Sequence, residues 1–373
     1  VASYASSWID VPLLDGSPGP LPFLSIVVPA RNEERSIERC VRSLLGQRDL
    51  DFELIVVDDR SSDATPAILG RLAGEFSRLS VVRGEPLPAG WVGKPWALHQ
   101  GAAVARGDWL LFTDADSVHA PRGAASALWF ARFIGADALS LATYQELGTF
   151  WERALLPSIL GMVLFACGSL AQINDPSDTK HALANGQYVL VSREALDALG
   201  GHAALKGEIA EDLAFARLIK ADGRYRFILA GGEELARVRM YHSAGEIWQG
   251  FTKNVFIGGN GNLVNLFGGA FYLLAISAFP PALALRALAR RRYHEAAEAA
   301  ACSLAAVASA SWAIGRTKLP KALGLYQPVG TAFLAAVTLN STFRVLSGRG
   351  VEWRGRRYSG KATPASRRQE RPR

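Results

Sequence analysis

The runs "LSIVVP" (Leu24–Pro29) and "ELIVVDD" (Glu53–Asp59) are short, continuous and rich in Ile and Val. Runs of this kind suit strands buried on both faces, as in a parallel sheet. Between them Ile37, Cys40, Val41, Leu44 and Leu45 recur at helical spacing. Asn32 precedes that pattern, and Glu33 and Glu34 are expected in the helix's first turn, where the dipole favours acids. A second helical pattern after Asp63 aligns Ile68, Leu69, Leu72 and Phe76. "LSVVRG" (79–84), a helix near 95–106, "DWLLFTDAD" (108–116) and "ALSLATY" (138–144) follow. Strand and helix alternate, which predicts an α/β domain with a doubly wound sheet. Ligands of such sheets bind beyond the carboxyl ends of the strands. The polar clusters of this chain sit at those predicted ends.

Composition sets the outer limits. The 373 residues allow two domains, or one domain and a membrane part. The chain is 49% hydrophobic with a mean hydropathy of +0.11, high for a soluble protein, so the apolar residues are expected to be unevenly spread. The net charge of +7 is uneven as well: Arg344–Arg373 holds ten Lys or Arg against two Glu. Beside apolar segments, anionic lipid suits such a tail better than nucleic acid, for which only Trp353 and Tyr358 supply interleaved aromatics. Cys40, Cys167 and Cys302 are far apart and lack ligand spacing, which reads as reduced cysteines of an intracellular protein. The chain opens at Val1 rather than Met. That leaves open an alternative start codon or a further N-terminal segment with a targeting helix.

The expected organisation is an N-terminal extension (1–21), a catalytic domain (22–262), a membrane region (263–346) and a basic tail (347–373). Segments 263–289, 296–315 and 326–346 each approach the ~20 apolar residues that cross a bilayer. The first is broken by Pro280-Pro281, and the third carries Asn340. A fourth apolar run, 154–173, reads as an amphipathic or interfacial helix, with a span as the alternative. Three full spans from a cytoplasmic domain would put Arg290–Arg292 and the tail outside, against the positive-inside rule. A re-entrant hairpin at Pro280-Pro281 would keep both cytoplasmic.

Five clusters carry candidate chemistry: "PARNEE" (29–34), "VVDDRSSDAT" (56–65), "GWVGKPWAL" (90–98), "TDAD" (113–116) and "IAEDLAFARLIKADG" (209–223). Singly, an acid at a strand end is a common cap or turn former. As an ordered set they resemble the family 2 glycosyltransferases over about residues 22–260. The resemblance implies the GT-A nucleotide-sugar-binding fold, followed here by C-terminal transmembrane helices. It places Asp59 at the base of a nucleoside diphosphate sugar, bordered by Pro29, Ala30 and Glu33, with Lys94 on the base or diphosphate.

By the same resemblance, Asp114 and Asp116 form the family's D-x-D. Strand alternation would put both carboxylates on one side. Hard oxygen ligands suit Mg²⁺ or Mn²⁺, with Asp116 the more direct ligand and His119 a further candidate. In Glu211-Asp212 the resemblance makes the Asp the general base of a single inverting displacement. Asn185, Gly186 and Gln187 would line the sugar, and Arg239, Trp248 and Lys253 the diphosphate or interface. No Q-x-x-R-W occurs, which lowers the case for a polymerising synthase. "GGNGN" (258–262) reads as a linker, and C-x-x-C, H-E-x-x-H and G-x-S-x-G motifs are absent.

The expected partners are a nucleotide-sugar donor, a lipid acceptor and the membrane, with no nucleic acid. The closing "SGRGVEWRGRRY" resembles members acting on carotenoids or associated with hopanoids. The expectation is therefore transfer of a sugar, with UDP-glucose as donor, to a membrane lipid. A polysaccharide or polyprenyl-phosphate glycosyltransferase is the alternative. The expected location is the inner membrane, multi-pass, with the catalytic domain cytoplasmic.

Overall fold

The computed structural model describes residues 9–166, 168–258, 263–315, 317–347, 351–353 and 356–358. The expected linker past Gly258, Cys167 and most of the basic tail lie outside the described residues. The chain forms two compact units. One comprises residues up to Glu146 together with Leu164–Met240; the other comprises Leu147–Val163 and Tyr241 onward. The division differs from the expected limits of 22–262 and 263–346, which follow composition rather than packing.

In chain order the elements are β1 (Leu24–Ala30), α1 (Ile37–Leu45), β2 (Phe52–Asp58), α2 (Thr65–Glu75), β3 (Leu79–Arg83), α3 (Gly93–Val104), β4 (Trp109–Thr113), β5 (Ser117–His119), α4 (Gly123–Phe133), β6 (Ala138–Ala142) and β7 (Tyr144–Gln145). Then come α5 (Phe150–Ala166), α6 (Leu170–Asn174), β8 (Tyr188–Ser192), α7 (Arg193–Ala198), α8 (Glu211–Asp222), β9 (Phe227–Gly231) and β10 (Ala236–Val238). The chain continues with α9 (Ala244–Gly258), α10 (Leu263–Ser277), α11 (Phe279–Ala289), α12 (Tyr293–Gly315), α13 (Gln327–Leu346), β11 (Val351–Trp353) and β12 (Arg356–Tyr358).

The first unit is built on a seven-stranded sheet of order β3-β2-β1-β4-β8-β6-β9. Its strand pairs are parallel except where β8 runs antiparallel to β4 and to β6. Successive side chains of β1 and β2 enter different cores, as period-2 geometry requires. Ile26, Val28, Leu54 and Val56 join Ile37, Val41 and Leu44 of α1, Leu69 and Leu72 of α2, and Leu128 of α4. Val27, Ile55 and Val57 join Ala97 and Leu98 of α3, Leu196 of α7, and Phe215 and Ile219 of α8. The unit is therefore three-layered, helices on both faces of the sheet. Each fully buried Val, Leu or Ile contributes roughly 1.5–3 kcal/mol. α3 approaches closely because Gly101 has no side chain: a Cβ there would lie 2.4 Å from a Val27 methyl. In the N-terminal extension, Asp10 bridges to Gly231 and the Val11 amide donates to the Gly231 carbonyl, which covers part of the β9 edge.

The chain runs β1-β2-β3 outward one way, and β4 starts again on the other side of β1. That reversal point, at the carboxyl ends of β1 and β4, is where a doubly wound sheet opens a crevice. β4 ends at Thr113, so Asp114-Ala115-Asp116 lies in the turn to β5 and not on the strand as expected. The Asp114 carbonyl ends the ladder by accepting from the Ser117 amide and hydroxyl. Strand alternation therefore does not set the two carboxylates. α1 likewise begins only at Ile37. Glu33 sits in the preceding turn, where its carbonyl accepts from the Ser36 and Ile37 amides.

Among the described residues, the elements of the second unit are helices and the β11–β12 hairpin. Among the described residues, two helical stretches are long and apolar enough to cross a membrane, Tyr293–Gly315 and Lys321–Arg344. A third passes as a pair, Phe267–Ser277 with Phe279–Ala289, bent by 42°. The break falls just before Pro280-Pro281, which occupy the first turn of α11. Proline fits a first turn but disfavours helix in the residue before it. Phe271, Leu285, Leu304 and Trp312 are each at least 66% exposed, an apolar surface suited to lipid. Asn340 and Ser341 have a use: the Asn340 amide donates to the Thr252 hydroxyl (3.2 Å) and the Ser341 hydroxyl to the Thr252 carbonyl (2.5 Å). These bonds join α13 to α9.

Candidate active site

The site grows from the amino ends of α3 and α8, the β4–β5 turn and the loop before β8. α8 opens with Glu211 and Asp212, and its far end is anchored. The buried Lys220 ammonium donates to the carbonyls of Gln172, Ile173 and His181 at 2.6–3.1 Å. Lys94, in the first turn of α3, places its ammonium 2.7 Å from both Asp114 Oδ1 and Glu211 Oε1. It also lies 3.4 Å from the Gly186 carbonyl. The Gly186 amide donates to Asp212 Oδ2 at 2.9 Å, and the Leu213 amide to Asp212 Oδ1 at 2.8 Å. A Cβ on Gly186 would sit 3.0 Å from both Asp212 Oδ2 and the Lys94 ammonium. Glycine is what lets the backbone pass between those charges.

The electrostatics follow from one cation among three acids. Burial pushes the Asp212 carboxyl up, and Glu211 adds to it, while Lys94 and the two amides pull it back; the group settles at about 6. Burial alone would lower the Lys94 ammonium, but Asp114, Glu211 and Asp212 together hold it well above its ordinary value. A carboxylate that titrates near 6 and is fixed by two amides is suited to accept a proton at neutral pH. The side chains of Lys94 and Asp114 stay about 30% exposed (32% and 29%), so a ligand can reach them.

The other expected residues divide into groups. Arg239 follows β10 beside the D-x-D turn, its backbone amide donating to the Asp116 carbonyl at 3.5 Å. Pro29 and Ala30 end β1, and the Ala30 carbonyl accepts from the Asp59 amide at 2.8 Å. Asp59 is thereby fixed, 4% exposed, at the carboxyl end of β2. Glu33 lies nearby in the α1 approach, where its carboxylate accepts from the Ser36 hydroxyl at 3.0 Å. Asn185 and Gln187 are used as braces. The Asn185 amide group donates to the Leu141 carbonyl (2.8 Å), and Gln187 Oε1 accepts from Thr143 (2.6 Å) and Gln145 (3.1 Å). Trp248 and Lys253 belong to α9 of the second unit, where Trp248 meets Phe333 edge-on at 5.5 Å.

His119 is a structural residue. It is 4% exposed, its Nε2 lies 3.0 Å from the Thr113 and Ser117 hydroxyls, and burial drives it down to about 3. That holds the ring neutral behind the turn. Cys40 is equally enclosed, its thiol pushed up to about 12 by burial. Sequence reasoning missed three things. Thr143 and Gln145 brace the β8 loop although "ATYQ" reads as plain strand, and Lys94 pairs with acids from two distant segments. His202 sits beneath the acidic pair with no motif around it.

Among the described residues no three or more His, Cys, Asp or Glu side chains converge as a metal cage. The donor set is instead two carboxylates on one turn: Asp114, part-exposed with one oxygen on Lys94, and Asp116, whose Oδ1 is buried. Such a set fits a hard cation that takes its remaining ligands from phosphate and water.

Residues 25–197 match the family model described as glycosyl transferase family 2. The match takes in a little under half of the chain, the part that holds β1 to β8. Over 192 residues it is 32% identical to a beta-monoglucosyldiacylglycerol synthase of Trichormus variabilis, covering 49% of this chain and 38% of that protein. Over 245 residues it is 27% identical to a 4,4'-diaponeurosporenoate glycosyltransferase of Staphylococcus aureus, covering 64% of this chain and 62% of that one. The chain thus spans less than two thirds of either relative. A mannosyltransferase of Pyrobaculum calidifontis, solved with GDP-Man and Mn²⁺, superposes over 92% of both chains with a TM-score of 0.53 and 22% identity. That likeness bears on the fold alone: the sheet of the first unit is of the GT-A type.

Proposed function

We propose that this chain is an inverting glycosyltransferase that moves one sugar from a nucleoside diphosphate donor to a membrane lipid. The observation that carries the reading is the cluster Lys94–Asp114–Glu211–Gly186–Asp212 at the sheet's reversal point. It sets a buried, amide-held carboxylate beside a cation and the D-x-D turn. Asp212 takes the proton of an acceptor hydroxyl as that oxygen attacks the anomeric carbon. The bond to the diphosphate breaks on the opposite face, so the configuration inverts. Lys94 and Arg239 offer positive charge to the departing diphosphate, and Asp59 with Pro29 and Ala30 borders the base. Asp116 and Asp114 would hold Mg²⁺ or Mn²⁺, which when bound neutralises charge on the diphosphate.

UDP-glucose is the proposed donor. A carotenoid or another isoprenoid or sphingoid lipid is the proposed acceptor. The names of the two relatives, both concerned with lipid-like molecules, support a lipid acceptor, and so do the apolar helices. The proposed setting is the inner membrane, multi-pass, with the first unit cytoplasmic. The test is mass spectrometry of lipids from cells with and without the full chain, supplied with UDP-glucose, UDP-galactose or GDP-mannose. A lipid heavier by one hexose is expected, and lost with Asp116→Ala. A polymer instead of a single hexose, or a product undiminished in Asp116→Ala, would overturn the reading.

A further inference from the structure

Beneath the acidic pair lies a narrow pocket of about 20 Å³, lined by His202, Glu211, Asp212, Gly186, Phe112 and Leu98 among others. One water needs about 10–15 Å³ of such space and two to four polar partners. His202 is only 6% exposed and belongs to a single 3₁₀ turn, Gly201–Leu205. Its ring meets Phe112 edge-on at 4.5 Å, which fixes the ring plane. Its Nδ1 is buried with no hydrogen-bond partner among the described residues. A buried polar atom in that state costs roughly 1–3 kcal/mol unless something satisfies it. His202, Glu211 and Asp212 are therefore the polar residues lining an otherwise apolar space sized for one water.

We propose that His202 is a positioning residue, holding the Asp212–Glu211 pair from below through a single buried water. This rests on the reading of Asp212 as the base. The water gives one hydrogen to a carboxylate and shares a second bond with Nδ1, so the carboxylate is supported from beneath while Gly186 supports it from above. Burial lowers the His202 ring to about 4, opposed by Glu211 and helped by His99 and Lys94, so the ring stays neutral beside the acids. A neutral ring can accept or donate a hydrogen bond without adding a second positive charge beside Lys94. A phenylalanine here would keep the packing on Phe112 and leave the water without its bond to Nδ1.

The experiment uses the full chain in detergent, with Mn²⁺, UDP-glucose and a membrane lipid extract as acceptor, and reads UDP release against pH. His202→Phe is expected to keep the melting temperature and the donor KM. It should lower kcat about tenfold and move the acid limb up about one pH unit, as loss of one bond to a charged group implies. His202→Asn, which returns a polar atom near Nδ1, should restore most of both. Asp212→Asn separates the failures. Wild-type turnover in Asp212→Asn removes the reading of the base. A dead Asp212→Asn beside a His202→Phe with wild-type kcat and acid limb removes the role of His202 alone. A high-resolution crystal structure of the wild-type chain gives a second readout. Ordered water within hydrogen-bond reach of Nδ1 and a carboxylate supports the proposal, and a dry pocket overturns it.

Discussion

Asp212 holds its proton more tightly in the folded chain than an ordinary aspartate does, about 6 against 3.8. Two consequences follow. For activity, the base works only when ionised, so turnover should rise with pH through about 6, and Asp212→Asn should cost about 10²–10⁴-fold in kcat. A pH–rate profile checks both. For stability the sign is reversed. The folded state binds more protons than the unfolded one between the two values. The stabilisation from this group is complete below about 3.8 and is lost as pH rises through 6, by about 3 kcal/mol at most. Urea denaturation at pH 4 and pH 7 should show that loss in the wild type and not in Asp212→Asn. Gly186→Ala tests the neighbouring constraint. The added methyl meets Asp212 Oδ2 and the Lys94 ammonium at 3.0 Å. A displacement of the base of even part of an ångström should lower kcat tenfold or more, by roughly the cost of a misplaced reacting group. The melting temperature should change little, since the Lys94 end can move away.

At the scale of elements, the site is an agreement between pieces far apart in the chain. α3 brings the cation, α8 the acids, and the β8 loop the amide that holds Asp212. The α8 start was readable because Glu211-Asp212 immediately precedes a helical pattern. The sequence alone carries β4 on to Asp116, because the apolar run gives no sign that the chain turns at Asp114–Ser117. The braces of Asn185 and Gln187 were illegible, since their partners Leu141, Thr143 and Gln145 lie more than forty residues away. In the second unit the same logic explains Asn340, a polar residue in an apolar segment. Ser341→Ala should remove the bond to the Thr252 carbonyl and cost about 0.6 kcal/mol, the average for such bonds between helices in a membrane. Thermal unfolding in detergent measures it.

For the whole molecule, sequence made the order of strands and helices legible because buried parallel strands leave continuous apolar runs. It left the placement of β8 between β4 and β6 hidden. An antiparallel strand inserted late in the chain is fixed by pairing with strands made much earlier, not by its own residues "YVLVS". The apolar helices of the second unit were legible by length, and their break before Pro280-Pro281 by proline's stereochemistry. If they are embedded as proposed, the full chain should stay in the membrane pellet after an alkaline carbonate wash and enter solution only with detergent. Release by carbonate would contradict embedding.

The alternation of β1 and β2 between two cores also bears on how this domain can change. Leu24, Ile26, Val27 and Val28 are each wholly enclosed, so neither side of the strand is free to vary. At the sheet edge, β3 exposes Ser80, Val81 and Arg83. A saturation scan scored by retained folding should therefore find β1 intolerant of polar residues at every position from 24 to 28 except Ser25, whose hydroxyl is bonded to Glu53. β3 should accept them freely at 80, 81 and 83. On this side of the sheet mutational freedom is then graded from β1 out to the β3 edge, whereas β9 at the other edge is buried throughout, and new specificity is more readily acquired along β3 than around the axis that carries the chemistry.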